Sequence, residues 1–386
     1  MITILIILGV LLLAGALYVL RGVYYIRKAK RLTAEIADLE ARTADSEART
    51  AATEADEKAR QAAEVVALGF VPEADLDTDH AAPVPAERTA VLAALADGDW
   101  EVGAAYVKAA GRDWEERWQR VRALAEVAAE DDGWLLAWRS AKPSHPAAAL
   151  VNADTAVIVA WNVRGNLGAR HTTTEQFRIF HDLLEKARVC AREAQRLADP
   201  ADPVPYMVEQ SIALGLGYEP EEYEKLWGEI VARGPKVLSA HTNALQYWCE
   251  KWRGSHELAL GFARESAASG EPGELLSLLP LIAYFEQDTH EPELSAEVFY
   301  KAPEIRAAVD AALEDLAAAD ADDPRAVWVR HMLAYLLFWQ DRDAEAVEQF
   351  RHVDGYIGAQ PWTYSGTPKS RYLYARDWAV RVTAQG

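Results

Sequence analysis

Residues Ile2 to Leu20 carry no charged side chain and are dominated by Ile, Leu, Val, Ala and Gly. At about 1.5 Å per residue, a helix of this run nearly matches the ~30 Å hydrocarbon core of a bilayer. Tyr18, Tyr24 and Tyr25 sit at one end, where aromatic rings favour the lipid–water interface. A cleaved secretory signal would place basic residues ahead of a shorter apolar core. Here the basic cluster, Arg21, Arg27, Lys28, Lys30 and Arg31, follows the run. Basic residues flanking a span stay on the cytoplasmic side. The expectation is a single-pass anchor over residues 1–26 in the cell membrane, N-terminus outside and the remaining chain in the cytoplasm. The only two cysteines, Cys190 and Cys249, fit a reducing compartment.

Residues 27–68 contain no Gly or Pro and are rich in Ala, Glu and Arg, a composition that favours helix. Alanines at 34, 37, 41, 44, 48, 51 and 55 alternate three and four apart, beside a shorter seam of Leu32, Ile36 and Leu39. Two arrangements satisfy this pattern: a weak coiled coil, which would make the protein a homo-oligomer through its stalk, or one solvated helix continuing from the anchor. Residues 69–87 then hold Pro72, Pro83 and Pro85 among Glu73, Asp75, Asp77 and Asp79, which reads as a flexible acidic linker.

Charge separates leader from body. Residues 1–64 hold equal numbers of basic and acidic side chains, so the formal net charge of -20 falls wholly on the rest. A body this acidic opposes binding to phosphate backbones and to an anionic leaflet.

From residue 88 to 386 the apolar periodicity is helical, and the predicted fold class is all-α. Trp114, Trp118, Val121, Ala125 and Ala128 mark one core stripe, and Phe177, Phe180, Leu184, Ala187, Ala191, Ala194 and Ala198 another. Thr172 with Glu175 offers a capping box at the start of the second helix. Val327–Trp339 is apolar nearly all round, which predicts a buried helix too short to span a bilayer. Short helices pair up over 86–97 with 99–110, 203–216 with 219–233, 236–252 with 255–269, and 324–340 with 343–353. Starts near Pro203, Pro235 and Pro272 are spaced close to the period of tetratricopeptide repeats. The expected architecture is a degenerate α-solenoid of such pairs, each burying its apolar face only by stacking.

Several stretches carry a family resemblance: Trp138 to Pro143, Ala160 to Gly165, Leu214 to Gly217, Ala240-His241, Leu245 to Glu257 and Phe262 to Arg264. Across about residues 88–290 they make the chain similar to an uncharacterised bacterial family, a domain of unknown function with tetratricopeptide-like helical repeats. The resemblance implies the helical fold and brings no activity, cofactor or catalytic residue with it.

The chemistry-bearing motifs are missing: no Walker loop, H-E-x-x-H, C-x-x-C or G-x-S-x-G occurs. Gly215-Leu216-Gly217 mimics the start of a dinucleotide fingerprint but ends a helix instead of following a strand. His241, Cys249 and His256 would share a face only if one helix ran through Gly254-Ser255, so packing or capping outranks metal binding. No catalytic, cofactor or metal residue is assigned. Among thirteen tryptophans, Trp248 and Trp252 lie one helical turn apart. With Arg253 and His256 they form the candidate interaction surface, of a composition enriched at binding hot spots. The function expected is a membrane-anchored cytoplasmic scaffold for protein or peptide partners, with no nucleic acid. The alternative is an enzyme or small-molecule sensor whose site has no motif. For the topology, an alkaline phosphatase fused after Gly386 should be inactive and a fluorescent protein at that position bright; the reverse pair of results would invert the orientation.

Overall fold

The structure, a computed structural model, describes residues 1–165, 173–252, 254–291, 293–364 and 366–385. Among them are seventeen α-helices and no β-strand beyond one isolated bridge, as the helical periodicity predicts. The chain divides into two compact units, Met1–Pro72 and Glu73–Gly386.

The first unit is essentially one helix, α1 (Ile2–Ala67). Its apolar start is a candidate membrane span by length and composition. Beyond it the helix is laced by ion pairs one turn apart: Arg31–Glu35 at 2.8 Å, Arg42–Asp38 at 2.8 Å and Arg49–Asp45 at 2.7 Å. Such exposed pairs contribute only about 0.3–0.5 kcal/mol each, so high propensity carries most of the helicity. Leu32, Ile36 and Leu39 stand exposed along it.

The second unit is a stack of helices. It begins with α2 (Ala86–Ala96), α3 (Trp100–Ala109), α4 (Trp114–Glu130), α5 (Gly133–Ala141) and α6 (Pro146–Arg164). Then come α7 (Thr174–Leu197), α8 (Val204–Leu216), α9 (Pro220–Val231), α10 (Leu238–Trp248), α11 (His256–Ser269) and α12 (Leu278–His290). The short α13 (Ala296–Phe299) leads to α14 (Pro303–Ala318), α15 (Ala326–Trp339), α16 (Asp343–Val353) and α17 (Pro368–Gln385). All four helix pairs read from the sequence are present, with boundaries shifted by a few residues.

Helices pack on their neighbours in sequence, and α4, α6, α8, α10 and α12 also touch one another in succession, continued by α15 and α17. That second series is an inner layer. It curves tightly enough for α4 to reach α10: Glu115 accepts from the Ser239 backbone N–H at 3.0 Å and from its hydroxyl. Small residues allow the close approach. On α7, Ala187, Ala191 and Ala194 are fully buried, and at Gly215 an added Cβ would lie 2.3 Å from Leu184 Cδ1. Gly217, with φ at 68°, ends α8 in the left-handed region that glycine favours. The Gly215–Gly217 pair thus serves packing and termination.

Side chains cap several of the helices, and the one cap read from the sequence changes register. Asp99 and Asp113 cap α3 and α4 through the backbone N–H groups of Glu101 and Glu116. The capping box of α7 is formed by Thr173 with Gln176, one residue on from Thr172 with Glu175; Thr172 itself lies outside the described residues.

The acidic segment before α2 departs furthest from expectation. Read as a flexible linker, it is bound to the body as a strap. Asp77 pairs with Tyr356 through Asp77 N–H to Gly355 C=O at 2.8 Å and Ile357 N–H to Asp77 C=O at 2.7 Å. Gly358 N–H donates to His80 C=O at 2.8 Å, and an added Cβ there would lie 2.4 Å from the His80 nitrogen. Leu76 and Ala81 are buried. The prolines and most of the acidic side chains here are exposed, the Asp77 carboxylate accepts from the Asp79 and His80 N–H groups inside the strap, and the backbone makes the bonds to residues 355–358, so the composition misleads.

The strap is held a second time by His331 of α15, whose side chain is fully buried. Its Nε2–H donates to Ala81 C=O at 3.1 Å, and its Nδ1 accepts from Trp362 Nε1–H at 2.9 Å. These roles require the neutral ring, and burial pushes its pKa down to about 4. Between pH 6.5 and 4 the unfolded imidazole takes up a proton that the folded one does not. Stability should therefore fall as pH drops through that window, by roughly 3 kcal/mol for a shift of this size. His331→Gln keeps a donor and an acceptor but does not titrate. Urea midpoints measured from pH 7 to 4 should fall less steeply for the variant, and parallel curves would refute the assignment.

Candidate functional site

The surface picked out from the sequence is only half open. Trp248 is half-buried, edge-on to Tyr223 and Tyr247 at 6.1 and 5.0 Å between ring centroids. Those two tyrosines stack face to face at 3.7 Å in the core. Trp252 sits edge-on to Trp161 at 5.6 Å, and the Arg164 guanidinium lies 5.3 Å from both rings. Arg253 lies outside the described residues. His256 opens α11, its Nε2 2.8 Å from Glu250 and 3.0 Å from Glu291 carboxylate oxygens.

His241 and Cys249 serve the core. His241 is buried between Ser266 Oγ at 2.9 Å and Pro235 C=O at 2.8 Å, edge-on to Trp227. The Cys249 thiol donates to Leu245 C=O, and burial pushes its pKa up to about 12, so it stays protonated. Among the described residues no three His, Cys, Asp or Glu side chains are grouped to hold a metal.

Beside this surface lies a buried polar knot. Glu286, 2% exposed, takes both oxygens to Lys251 Nζ at 2.8 Å and also accepts from Tyr364 OH at 3.0 Å and Gln246 Nε2 at 3.2 Å. Burial opposes the charge on Lys251, but the carboxylate outweighs it and holds the amine above its ordinary range. Every group is satisfied, so the knot pins α10, α12 and the turn at Trp362–Tyr364 together.

A well-formed concavity of the body lies elsewhere. It measures about 1090 Å³ and is walled by the strap at Asp79–Pro85, the N-terminal half of α4, the Gly234–Val237 turn and the Asp320–Trp328 segment leading into α15. Sequence reasoning placed Trp114 in a core stripe and Trp328 in a fully buried helix, yet both line this groove; Trp114 is half-buried and Trp328 is 40% exposed. Pro83, Val84, Pro85, Pro235 and Val327 add apolar wall. The signal was there in outline, since Asp320, Asp322 and Asp323 crowd the start of a tryptophan-bearing helix.

The ionisable groups of the groove are unequally served. Arg88 and Arg122 pair with Glu126, Arg122 also with Asp154, Arg112 with Asp199, Arg233 with Glu229, Lys236 with Glu274 and Arg325 with Asp323. Arg325 further donates to Gly273 and Glu274 C=O, fixing the acidic turn in place. Desolvation keeps buried Asp154 above the usual carboxylate range despite Arg122 at 3.1 Å.

No protein-family model, curated protein or solved structure matches the chain. The two classes of tryptophan should separate on truncation. Trp138, fully buried and stacked on Trp100 at 5.9 Å, should lose about 3–5 kcal/mol on change to Ala. Trp328→Ala should stay within about 0.5 kcal/mol of wild type, with half-buried Trp252→Ala between them. Urea denaturation of the three variants checks the order.

Proposed function

We propose that the protein is a single-pass membrane scaffold whose helical body stands in the cytoplasm and holds a protein or peptide segment in the groove beside Trp114 and Trp328. The groove is the observation that carries this reading. Its volume lies at the upper end of the roughly 300–1,000 Å³ usual for small-molecule sites, and it opens between four separate chain segments, the form an extended chain needs. Stacked helices with a concave inner layer commonly present such surfaces to polypeptides. Exposed tryptophan in a concavity supplies large contact area at low entropic cost. The apolar run Ile2–Leu20 supports the anchor, and the basic cluster from Arg21 to Arg31 supports the orientation. The paired helices are in keeping with the resemblance to the tetratricopeptide-like family, which stays part of the proposal.

Photo-crosslinking in the native membrane tests the reading. A diazirine amino acid at position 328 should yield adducts with a discrete partner, and one at exposed Leu258, outside the groove, should not. Adducts absent from 328, or the same from both positions, would remove the groove from the proposal.

A further inference from the structure

Resting on that reading, we infer that the occupant is an extended polypeptide segment carrying lysine or arginine next to apolar or aromatic residues. Each of the six Lys and Arg side chains lining the groove is already in an ion pair. Five of its carboxylates, Asp79, Asp113, Glu115, Asp320 and Asp322, have no Lys or Arg within ion-pair distance among the described residues. The charge left over in the groove is therefore negative. The body around it carries the whole formal excess of -20, so the long-range field has the same sign.

Four of the five are not spent on the fold alone. Asp113 and Glu115 cap α4 and the start of α10, and their remaining charge faces the concavity across from Arg325, which senses both. Asp320 and Asp322 are exposed, and neither is held by a side-chain hydrogen bond in the described structure. Trp328 lines the groove on the same segment, so carboxylates and an aromatic ring are offered to one occupant. A guanidinium or ammonium beside a tryptophan ring is attracted by the ring quadrupole. The prolines of the strap and the ring of Trp114 require apolar groups between the cations. Phosphates are repelled by the same carboxylates, and a bare polyamine would leave the tryptophans uncovered.

The test uses full-length protein in zwitterionic nanodiscs and three fluorescein-labelled decapeptides: alternating lysine–leucine, glutamine–leucine and glutamate–leucine. Anisotropy should show the lysine probe binding at least tenfold more tightly than the other two, with empty nanodiscs as the blank. The double variant Asp320→Asn/Asp322→Asn should lose at least fivefold, and Trp328→Ala a similar factor. Glu221→Gln/Glu224→Gln, a control on the exposed face of α9, should leave binding unchanged. Equal binding of the glutamine probe would overturn the preference for a basic segment and leave the groove reading standing. Labelled spermidine binding as tightly as the lysine probe would overturn the peptide occupant. Loss by the α9 control equal to that of the groove variants would reduce the effect to overall charge and overturn the inference. Failure of all three peptides to bind would overturn the inference and the groove reading together.

Discussion

Alanine and glycine on the inner helices set how near their axes can come, and the curvature of the body follows from that distance. Ala147, Ala148, Ala149, Ala153 and Ala160 of α6, Ala123, Ala125 and Ala128 of α4, and Ala240 and Ala244 of α10 are all buried. Helices joined through such faces sit close, so the inner layer turns sharply and α4 reaches α10. A side chain as small as alanine buries little apolar area, about 25 cal/mol for each Å². The larger rings make up the difference at the joints: Trp138, Tyr223, Tyr247, Phe285, Phe350 and Trp362 are almost fully buried. Sharp curvature then leaves a concavity that these rings do not fill, and the groove is that remainder.

Buried charge also closes the C-terminal end of the stack. Arg376 on α17 lies 3.0 Å from Asp354 and 2.9 Å from Asp377, with Tyr372 OH donating to Asp354 at 2.9 Å. Losing one member of such a set costs about 3–5 kcal/mol, because the other charge is stranded. The C-terminal helix thereby caps the last pair, burying Tyr372 against Phe350 and Trp362. Its outer face still shows Tyr374, Trp378 and Val382 to solvent. At the groove the pattern reverses: the cations are neutralised locally and several carboxylates are not.

Much of this was legible in the sequence where a single helix decides the outcome. The stripes through Trp118, Val121 and Ala125 and through Phe180, Leu184 and Ala187 are core, as their spacing requires. Helix boundaries followed Pro, Gly and Asp because each acts on the local backbone. What depends on two distant segments was not legible. Asp75, Asp77, Asp79 and the prolines around them look like a linker, since the bonds that hold the strap belong to the backbone and reach residues 355–358. Trp328 belongs to a helix that is apolar nearly all round, and only tertiary curvature decides that its ring is left in the open. Trp252 errs the other way. Its neighbours Trp161 and Arg164 come from a helix far back in the chain, so its burial had no local signature.

The strap carries one further consequence, in time rather than in space. Asp77 is among the first residues of the body to leave the ribosome, and its partners Gly355 and Ile357 are among the last. Contacts this far apart in the chain are the slowest to close, because the intervening loop must be ordered first. During synthesis the strap has nothing to bind, and the groove lacks one wall, until residues 331 and 355–358 have been made. The last wall of the groove can therefore close only after α15, α16 and the turn that follows them have been made.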